Sequence, residues 1–152
     1  MPPTTQRAIL ITSAGGPEVL RERPDWPVLS PSDLAPAEVL IEVQAAGINR
    51  HDCNQRAAGP TREPNPVPGL EASGRIVACG KDVPSARLGQ AVVALTDGGS
   101  YAQYVTTDQD LALPLPEGLD WISAAALPEA LFTIWFNFVW LMRLSPGDTA
   151  MI

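Results

Sequence analysis

The sequence predicts a mainly β (α+β) fold, in which an antiparallel, barrel-like β domain is followed by helices. Two observations lead to this prediction. Residues 1–115 hold about seven short β-rich runs separated by turns, and the pattern becomes helical after Pro116. The 152 residues, of which 45% are hydrophobic, can bury one core, so a second complete domain is not expected.

The strands are predicted from apolar runs that lie between turn residues. Residues 6–12 and 19–23 flank a Gly-Gly-Pro turn and are expected to form an opening hairpin, and four prolines in residues 24–36 predict a surface connection. Residues 91–95 and 100–106 flank Asp97-Gly-Gly and are expected to pair as a second hairpin. The remaining strands are predicted at residues 38–46, 71–78 and 111–115.

The helices are predicted from capping residues and from apolar periodicity. Asn49 is a candidate N-cap with Asp52 three residues later, which predicts a short helix over residues 49–58 that Gly59 closes. Two more helices are predicted over residues 121–127 and 129–141. The apolar run within the second of these is shorter than the roughly 20 residues that span a bilayer, so a buried helix is expected.

Two segments stand apart from these elements: one has no regular pattern, and the other resembles a strand that no further strand follows. Residues 60–68 hold four prolines and predict an irregular loop. Residues 149–152 (TAMI) read as the beginning of an apolar strand with nothing after it, which suggests the front part of a longer protein.

The charge and the cysteines limit the classes of partner. The net charge of −7 leaves no basic face for phosphates, so nucleic acid and anionic membranes are not expected partners and a small neutral or polar ligand is favoured. The two cysteines show no paired spacing, and the first residues lack the apolar segment of a signal peptide. A reduced, cytoplasmic protein is therefore predicted.

A series of short motifs runs in one order from about residue 8 to the end of the chain. The motifs are Ala46-Gly-Ile-Asn-Arg, Asp52, Gln55-Arg56, Gly69-Leu-Glu-Ala-Ser-Gly, Gly80, Gly89-Gln-Ala-Val, Tyr101-Ala-Gln-Tyr-Val, Pro114-Leu-Pro-Glu-Gly, Ala124-Ala-Ala-Leu-Pro-Glu-Ala and Thr133. Together they resemble the catalytic domain of medium-chain dehydrogenases/reductases. The most similar subgroup is the zinc-free quinone oxidoreductases (zeta-crystallin-like).

The resemblance implies a division of the chain and a cofactor. Residues 1–128 would form a GroES-like β-barrel catalytic domain, and residues 129–152 would form a linker helix and the start of a Rossmann nucleotide-binding domain. In the family that second domain binds NADPH through a Gly-rich turn, which would follow the truncated strand at Ile152. The chain by itself is therefore expected to hold a dinucleotide weakly and to be inactive.

The resemblance also implies roles for individual residues. The Asn49 amide would lie near the nicotinamide and the substrate carbonyl, although a role as N-cap alone is equally compatible with the sequence. The Thr133 hydroxyl would face the nicotinamide ribose, or would bond its own helix backbone. Asn54 and Pro60 stand where family members commonly place a tyrosine near the substrate, so they are the candidates for the substrate cleft.

No metal is predicted. The zinc alcohol dehydrogenases of the same superfamily have a cysteine where Asn49 stands and a His-Glu pair at Leu70-Glu71, so two of three zinc ligands are replaced. His51 and Cys53 read as exposed helix residues. Glu71 is expected to be partly buried and to pair with an arginine, Arg75 or Arg56. The two tyrosines at positions 101 and 104 are expected to be packing residues.

The activity implied by the resemblance is hydride transfer from NADPH to a quinone, or to the β-carbon of an enone, without a metal. A non-catalytic GroES-like interaction module is the alternative, and a zinc-dependent alcohol dehydrogenase is disfavoured by Asn49 and Leu70. Uncovered apolar residues between Ala130 and Met142 would drive association, so a homo-oligomer stays open.

Overall fold

The structure is a computed structural model that describes residues 1–60 and 66–151. It holds a two-stranded antiparallel sheet and a five-stranded antiparallel sheet. The first sheet pairs β1 (Thr5–Ile11) with β2 (Leu20–Pro27), which confirms the opening hairpin. The second sheet is built from β3 (Glu38–Ala46), β4 (Glu71–Cys79), β5 (Ala91–Leu95), β6 (Tyr104–Asp108) and β7 (Ala112–Pro114), in the order β6-β3-β4-β5-β7.

The second predicted hairpin is wrong, although both of its strands exist. β5 pairs with β4 and β7, whereas β6 pairs with β3 at the opposite edge of the sheet. The connecting residues explain the crossing, since the N–H groups of Gly99, Ser100 and Tyr101 donate to the carbonyls of residues 67–69. The turn residues between the strands therefore carry the chain across the sheet and do not close a hairpin.

The core lies inside the curved second sheet. β3 is hydrogen-bonded to β4 on one side and to β6 on the other, and Val39, Leu40 and Ile41 are buried in succession. The principal cluster of buried side chains is Val39, Ile41, Ile76, Val83, Val92, Ala94, Val105 and Ala112. The Thr107 hydroxyl donates to the Leu95 carbonyl at 2.7 Å, which links β6 to β5 and closes the sheet towards a barrel.

In the part of the chain that the structure describes, three α-helices occur where the sequence predicts helices. They are α1 (Arg50–Ala58), α2 (Trp121–Ala125) and α3 (Pro128–Ile134), and residues 135–141 continue α3 as a π-helical segment. The Asp120 carboxylate accepts the N–H of Ser123 at 2.7 Å and caps α2 as expected. α2 is held to the sheet by the Ser73 hydroxyl, which donates to the Trp121 carbonyl at 2.6 Å.

The prediction of a buried C-terminal helix is wrong. Pro128 is buried, but most of the apolar side chains after it are exposed, including Trp135 at 63% and Trp140 at 70%. The reason is that α3 meets the sheet near its beginning, while the π-helical segment packs mainly against α3. Among the described residues, no helix is both long enough and apolar enough to cross a membrane.

Two further predictions concern irregular segments. Residues 149–151 form no strand, because a strand needs a hydrogen-bonded neighbour and none runs beside them in the described chain. Of the predicted proline-rich loop, residues 61–65 lie outside the described residues, and Pro60 at its start is exposed.

Candidate functional site

Asn49 begins helix α1 directly after β3. Its backbone N–H donates to Asp52 Oδ2 at 2.7 Å, and the N–H of Asp52 donates to the Asn49 carbonyl at 3.1 Å, within a capping-box arrangement. The N-cap position predicted for Asn49 is therefore confirmed. The amide nitrogen of its side chain has a different partner, because Nδ2 donates to Glu71 Oε1 at 2.9 Å.

Glu71 is the first residue of β4, and its side chain is buried at 3% exposure. The two carboxylate oxygens bind donors from different elements: Oε1 accepts from Asn49 Nδ2, and Oε2 accepts the backbone N–H of Glu129 in α3 at 2.9 Å. Gly47 makes room for this carboxylate, because a Cβ on Gly47 would overlap it. Glu71 thus joins the start of α1 to the start of α3.

The predicted ion pair of Glu71 with an arginine is wrong. Arg75 is exposed, donates to the Gly89 carbonyl at 3.0 Å and lies over the Trp121 ring at 5.5 Å. Arg56 Nε donates to the Gly15 carbonyl at 3.2 Å. An amide and a backbone N–H therefore bind the two oxygens of the Glu71 carboxylate, and both arginines considered from the sequence have other partners.

Thr133 lies one helical turn after Glu129. Its hydroxyl donates to Glu129 Oε1 at 3.3 Å and so bonds a side chain of its own helix, not the helix backbone. The two residues predicted to face the cofactor, Asn49 and Thr133, are thereby connected through Glu71 and Glu129. The connection lies at the beginning of β4, next to the first turns of α1 and α3.

The candidates for the substrate cleft, Asn54 and Pro60, do not join this network. Asn54 is exposed on α1, and Pro60 is exposed directly after Gly59. Neither residue hydrogen-bonds to Asn49, Glu71 or Thr133 in the described structure, so the role of both in the cleft remains a prediction.

Tyr101 is a member of the site that the sequence analysis missed. Its hydroxyl donates to Asp52 Oδ2 at 2.7 Å, the oxygen that also accepts the Asn49 N–H. Burial and the neighbouring Asp52 carboxylate raise the pKa of Tyr101. The adjoining glycine Gly69 has a φ of +101°, and a Cβ there would stand 2.6 Å from the Tyr101 ring. Gly69 and Tyr101 each begin one of the family motifs, and this shared membership was a sequence signal for Tyr101.

Asp52 is 6% exposed, and its second oxygen, Oδ1, has no hydrogen-bond partner among residues 1–60 and 66–151. When one oxygen of a buried carboxylate lacks a hydrogen bond, the stability of the buried charge depends strongly on the donors to the other oxygen. Tyr101 and the Asn49 N–H are those donors, and they hold the first turn of α1 against the segment after Gly99.

Two concave surfaces lie near these elements. A shallow depression of about 370 Å³ follows the end of β3 and is lined in part by Ala45, Ala46 and Tyr101. A cavity of about 470 Å³, lined in part by Trp26 and Tyr104, contains none of the predicted site residues. Neither surface is lined by Asn49, Asn54, Pro60, Glu71 or Thr133, and the first adjoins the Asn49 network only through Tyr101.

The residues at the zinc positions of the zinc alcohol dehydrogenases do not fit that metal. Leu70 offers an aliphatic side chain, and the amide nitrogen of Asn49 is a donor bound to Glu71, whereas zinc needs thiolate, imidazole or carboxylate ligands. His51 is exposed on α1. Within the described chain no three His, Cys, Asp or Glu side chains are grouped so that they could hold a metal ion.

Comparison with known proteins identifies the relatives of the chain. The family described as "Alcohol dehydrogenase GroES-like domain" matches residues 35–117. A quinone oxidoreductase of Lama guanicoe is 36% identical over 149 residues, which is 96% of this chain and 44% of that protein. Highly-reducing polyketide synthase 1 of Aureobasidium melanogenum is 34% identical over 122 residues, 80% of this chain and 5% of that protein.

Solved structures share the fold. The human synaptic vesicle membrane protein VAT-1 homolog-like protein superposes with a TM-score of 0.79 at 28% identity, covering 93% of this chain and 45% of that one. The mainly β, GroES-like fold with C-terminal helices is therefore confirmed. The chain spans less than half the length of the quinone oxidoreductase and of this solved protein.

Proposed function

Because the chain belongs to the alcohol dehydrogenase GroES-like domain family of the medium-chain dehydrogenase/reductase superfamily, we propose that it is the N-terminal catalytic half of an NADPH-dependent oxidoreductase. The reaction is hydride transfer to a quinone or an enone, without a metal. The quinone oxidoreductase relative supports a quinone as the acceptor. The protein acts in the cytoplasm on a small molecule.

The observation that carries this proposal is the hydrogen-bonded connection from Asn49 through Glu71 and Glu129 to Thr133. Two residues assigned to the nicotinamide through the family resemblance are 84 positions apart (133 − 49), and they are joined through Glu71 and Glu129 at the beginning of β4. A shared position of this kind is expected if both residues face one ligand. The polar side chains are also held by partners, as a preorganised site requires.

The chain's own residues have a defined share in the chemistry. The bound reduced nicotinamide supplies the hydride. One N–H of the Asn49 amide is bonded to Glu71, and the other can donate to the substrate oxygen as negative charge develops there. The Thr133 hydroxyl, exposed on α3, is available to the ribose. Asn54, Pro60 and the depression beside Tyr101 would form the wall against the acceptor.

The division of labour along the chain belongs to the same proposal. Residues 1–128 form the catalytic domain, and residues 129–152 form a linker helix and the start of a nucleotide-binding domain. The chain covers 44% of the related quinone oxidoreductase. The 152 residues by themselves therefore hold NADPH weakly and turn over slowly or not at all.

Turnover of the natural-length protein tests the proposal. NADPH oxidation is followed by absorbance with a small ortho-quinone and with an α,β-unsaturated ketone, before and after dialysis against a metal chelator. We expect turnover that the chelator leaves unchanged and that Asn49→Ala lowers about 10²- to 10³-fold. Loss of activity after chelation would favour the alternative that the protein is a zinc-dependent alcohol dehydrogenase. If the protein neither binds NADPH nor turns over a quinone or enone at any pH, the proposal that it is an enzyme is refuted.

A second candidate is a non-catalytic interaction module, and the exposed apolar residues of α3 and residues 135–141 favour it. Such a module would associate with a second copy or another protein through this surface. Sedimentation of the chain gives its oligomeric state. A protein that associates but neither binds NADPH nor turns over would have this function.

A further inference from the structure

We propose that Glu71 is a positioning residue that orients the Asn49 amide and ties this orientation to the start of helix α3. The inference rests on the proposed function, in which Asn49 meets the nicotinamide and the substrate oxygen. Glu71 itself touches neither, and it acts through Asn49.

The geometry of the carboxylate is the first argument. Glu71 is 3% exposed and uses both oxygens, each at 2.9 Å, for donors that lie 22 residues before it and 58 residues after it. A carboxylate accepts hydrogen bonds and does not donate them, so it holds the NH₂ side of the Asn49 amide towards itself. The carbonyl oxygen of the amide must then point elsewhere.

The start of α3 is the second argument. Leu127 occupies the N-cap position of this helix and has no side-chain acceptor for the free N–H groups of the first turn. Glu71 supplies the missing acceptor from another element, and its negative charge suits a helix N-terminus. A displacement of α3 would therefore act directly on the carboxylate that holds Asn49.

The close packing at Gly47 is the third argument. Since a Cβ at Gly47 would overlap the Glu71 carboxyl group, the carboxylate fits against the backbone just before Asn49. The Gly47 N–H also donates to the Glu71 carbonyl at 3.2 Å. The side chain thus has little freedom, and it can fix the rotation of the amide.

Two substitutions of Glu71 separate the effect of its negative charge from the effect of its side-chain length. Glu71→Gln has nearly the same shape but only one accepting oxygen, so its NH₂ group opposes either the Asn49 amide or the Glu129 N–H. If the glutamine keeps the Glu129 N–H, the Asn49 amide must rotate to present its oxygen. Glu71→Asp keeps the charge but is shorter by one carbon–carbon bond, about 1.5 Å, and cannot bridge both donors.

Exchange of the Asn49 side-chain amide protons, measured by ¹⁵N–¹H NMR on the 152-residue chain, tests the orientation without any catalysis. The signals are identified by their absence in Asn49→Ser. One Asn49 proton of the wild-type chain should exchange at least tenfold more slowly than the protons of exposed Asn54. If both exchange as fast as those of Asn54, the proposal is overturned, whether or not the variants fold.

The variants of Glu71 then test whether Glu71 causes the slow exchange of the Asn49 amide proton. We expect Glu71→Gln and Glu71→Asp to speed the protected exchange at least tenfold. Glu42→Gln serves as the control, since Glu42 is a glutamate of the same sheet that is half-buried and bonded to the Tyr104 hydroxyl at 3.3 Å. It should leave the exchange unchanged. Unchanged exchange in a folded Glu71→Gln chain would contradict the proposal.

A double-mutant cycle on the natural-length protein tests the catalytic consequence. Glu71→Gln should lower kcat about 10- to 100-fold with KM for NADPH within about threefold, because it misplaces a group already in the site. In the Asn49→Ala background it should have no further effect on kcat. An equal loss in both backgrounds would show that Glu71 acts independently of Asn49. If the wild-type protein lacks turnover, the proposed function fails, and the exchange experiment alone decides the role of Glu71.

Discussion

Replacing Tyr101 by phenylalanine removes the hydroxyl that donates to Asp52 Oδ2 at 2.7 Å. The ring remains, so the packing against Gly69 is kept and the substitution isolates the hydrogen bond. Asp52 is 6% exposed, and its Oδ1 has no partner in the described chain, so the Asn49 N–H would be the one remaining donor to a buried carboxylate.

Hydrogen bonds to charged groups contribute about 1.5–3 kcal/mol. The Tyr101 side chain is half-buried, which lets solvent replace part of the bond, so we expect a loss of about 1.5–2 kcal/mol in the free energy of unfolding. For a chain of this size the loss corresponds to a Tm lowered by about 3–8 °C. Urea unfolding should show a lower midpoint with an unchanged m value.

Tyr104→Phe is the matched control. The Tyr104 hydroxyl donates to Glu42 at 3.3 Å, a longer bond to a less buried carboxylate. Its removal should cost less than about 1 kcal/mol. A Tyr101→Phe variant that is no less stable than Tyr104→Phe would refute the argument that Asp52 depends on Tyr101.

The pH dependence gives an independent check of the same bond. Folding raises the pKa of Tyr101 above its unfolded value near 10, chiefly by burial, so the stability from the protonated phenol is complete below about pH 10. It is lost as the pH rises towards the folded pKa. The difference between the wild-type chain and Tyr101→Phe should therefore shrink above about pH 10, by less than about 1.4 kcal/mol per pH unit because solvent screens the half-exposed ring. If the difference in the free energy of unfolding stays constant or grows above about pH 10, the proposed role of the protonated Tyr101 hydroxyl is contradicted.

Three further substitutions have expected outcomes. Gly74→Ala should destabilise the chain by about 3 kcal/mol in urea unfolding, because a Cβ would overlap the backbone oxygen of Glu42 on β3, which cannot move alone. Arg87→Lys should cost about 1.5–3 kcal/mol by the same measurement, since one ammonium cannot replace guanidinium bonds to two backbone carbonyls and a glutamine. Replacing both Trp135 and Trp140 by serine should weaken self-association in sedimentation velocity, because both rings are exposed.

Each of the three has a control in the same chain. A Cβ at Gly16 would meet only the end of the exposed Glu18 side chain, so Gly16→Ala should cost less than about 1 kcal/mol. Arg75→Lys removes a single carbonyl bond and should be milder than Arg87→Lys. Leu88→Ser changes an exposed apolar residue far along the chain from α3 and should leave sedimentation unchanged. If a control substitution has a larger effect than the substitution with which it is paired, the physical reason given for that substitution is contradicted.

Local patterns predicted most of the elements. The N-cap at Asn49, the cap at Asp120 and the proline at the first position of α3 were placed correctly because capping depends on neighbouring backbone groups. Runs of apolar residues located the strands approximately, but β2 extends to Pro27, inside the segment predicted as a surface connection, and β6 begins at Tyr104, not at Ser100. The pairing of β5 and β6 did not follow from these runs, because strand partners are chosen by contacts that the turn residues between them do not encode.

The sequence by itself determined the fold class and the family, since these depend on residue types and their order, and the family resemblance supplied Asn49 and Thr133 as candidates. Tertiary structure alone decided the partners of the buried carboxylates. Tyr101 reaches Asp52 across 49 positions, and Glu129 reaches Glu71 across 58, in bonds of 2.7 and 2.9 Å. Bonds this short form only after β4, α1 and α3 are packed together, and a linear pattern carries no record of such an approach. The same reason applies to the apolar run from Ala130 to Met142, for which the pattern predicted burial, because the exposure of these side chains depends on what lies beside them.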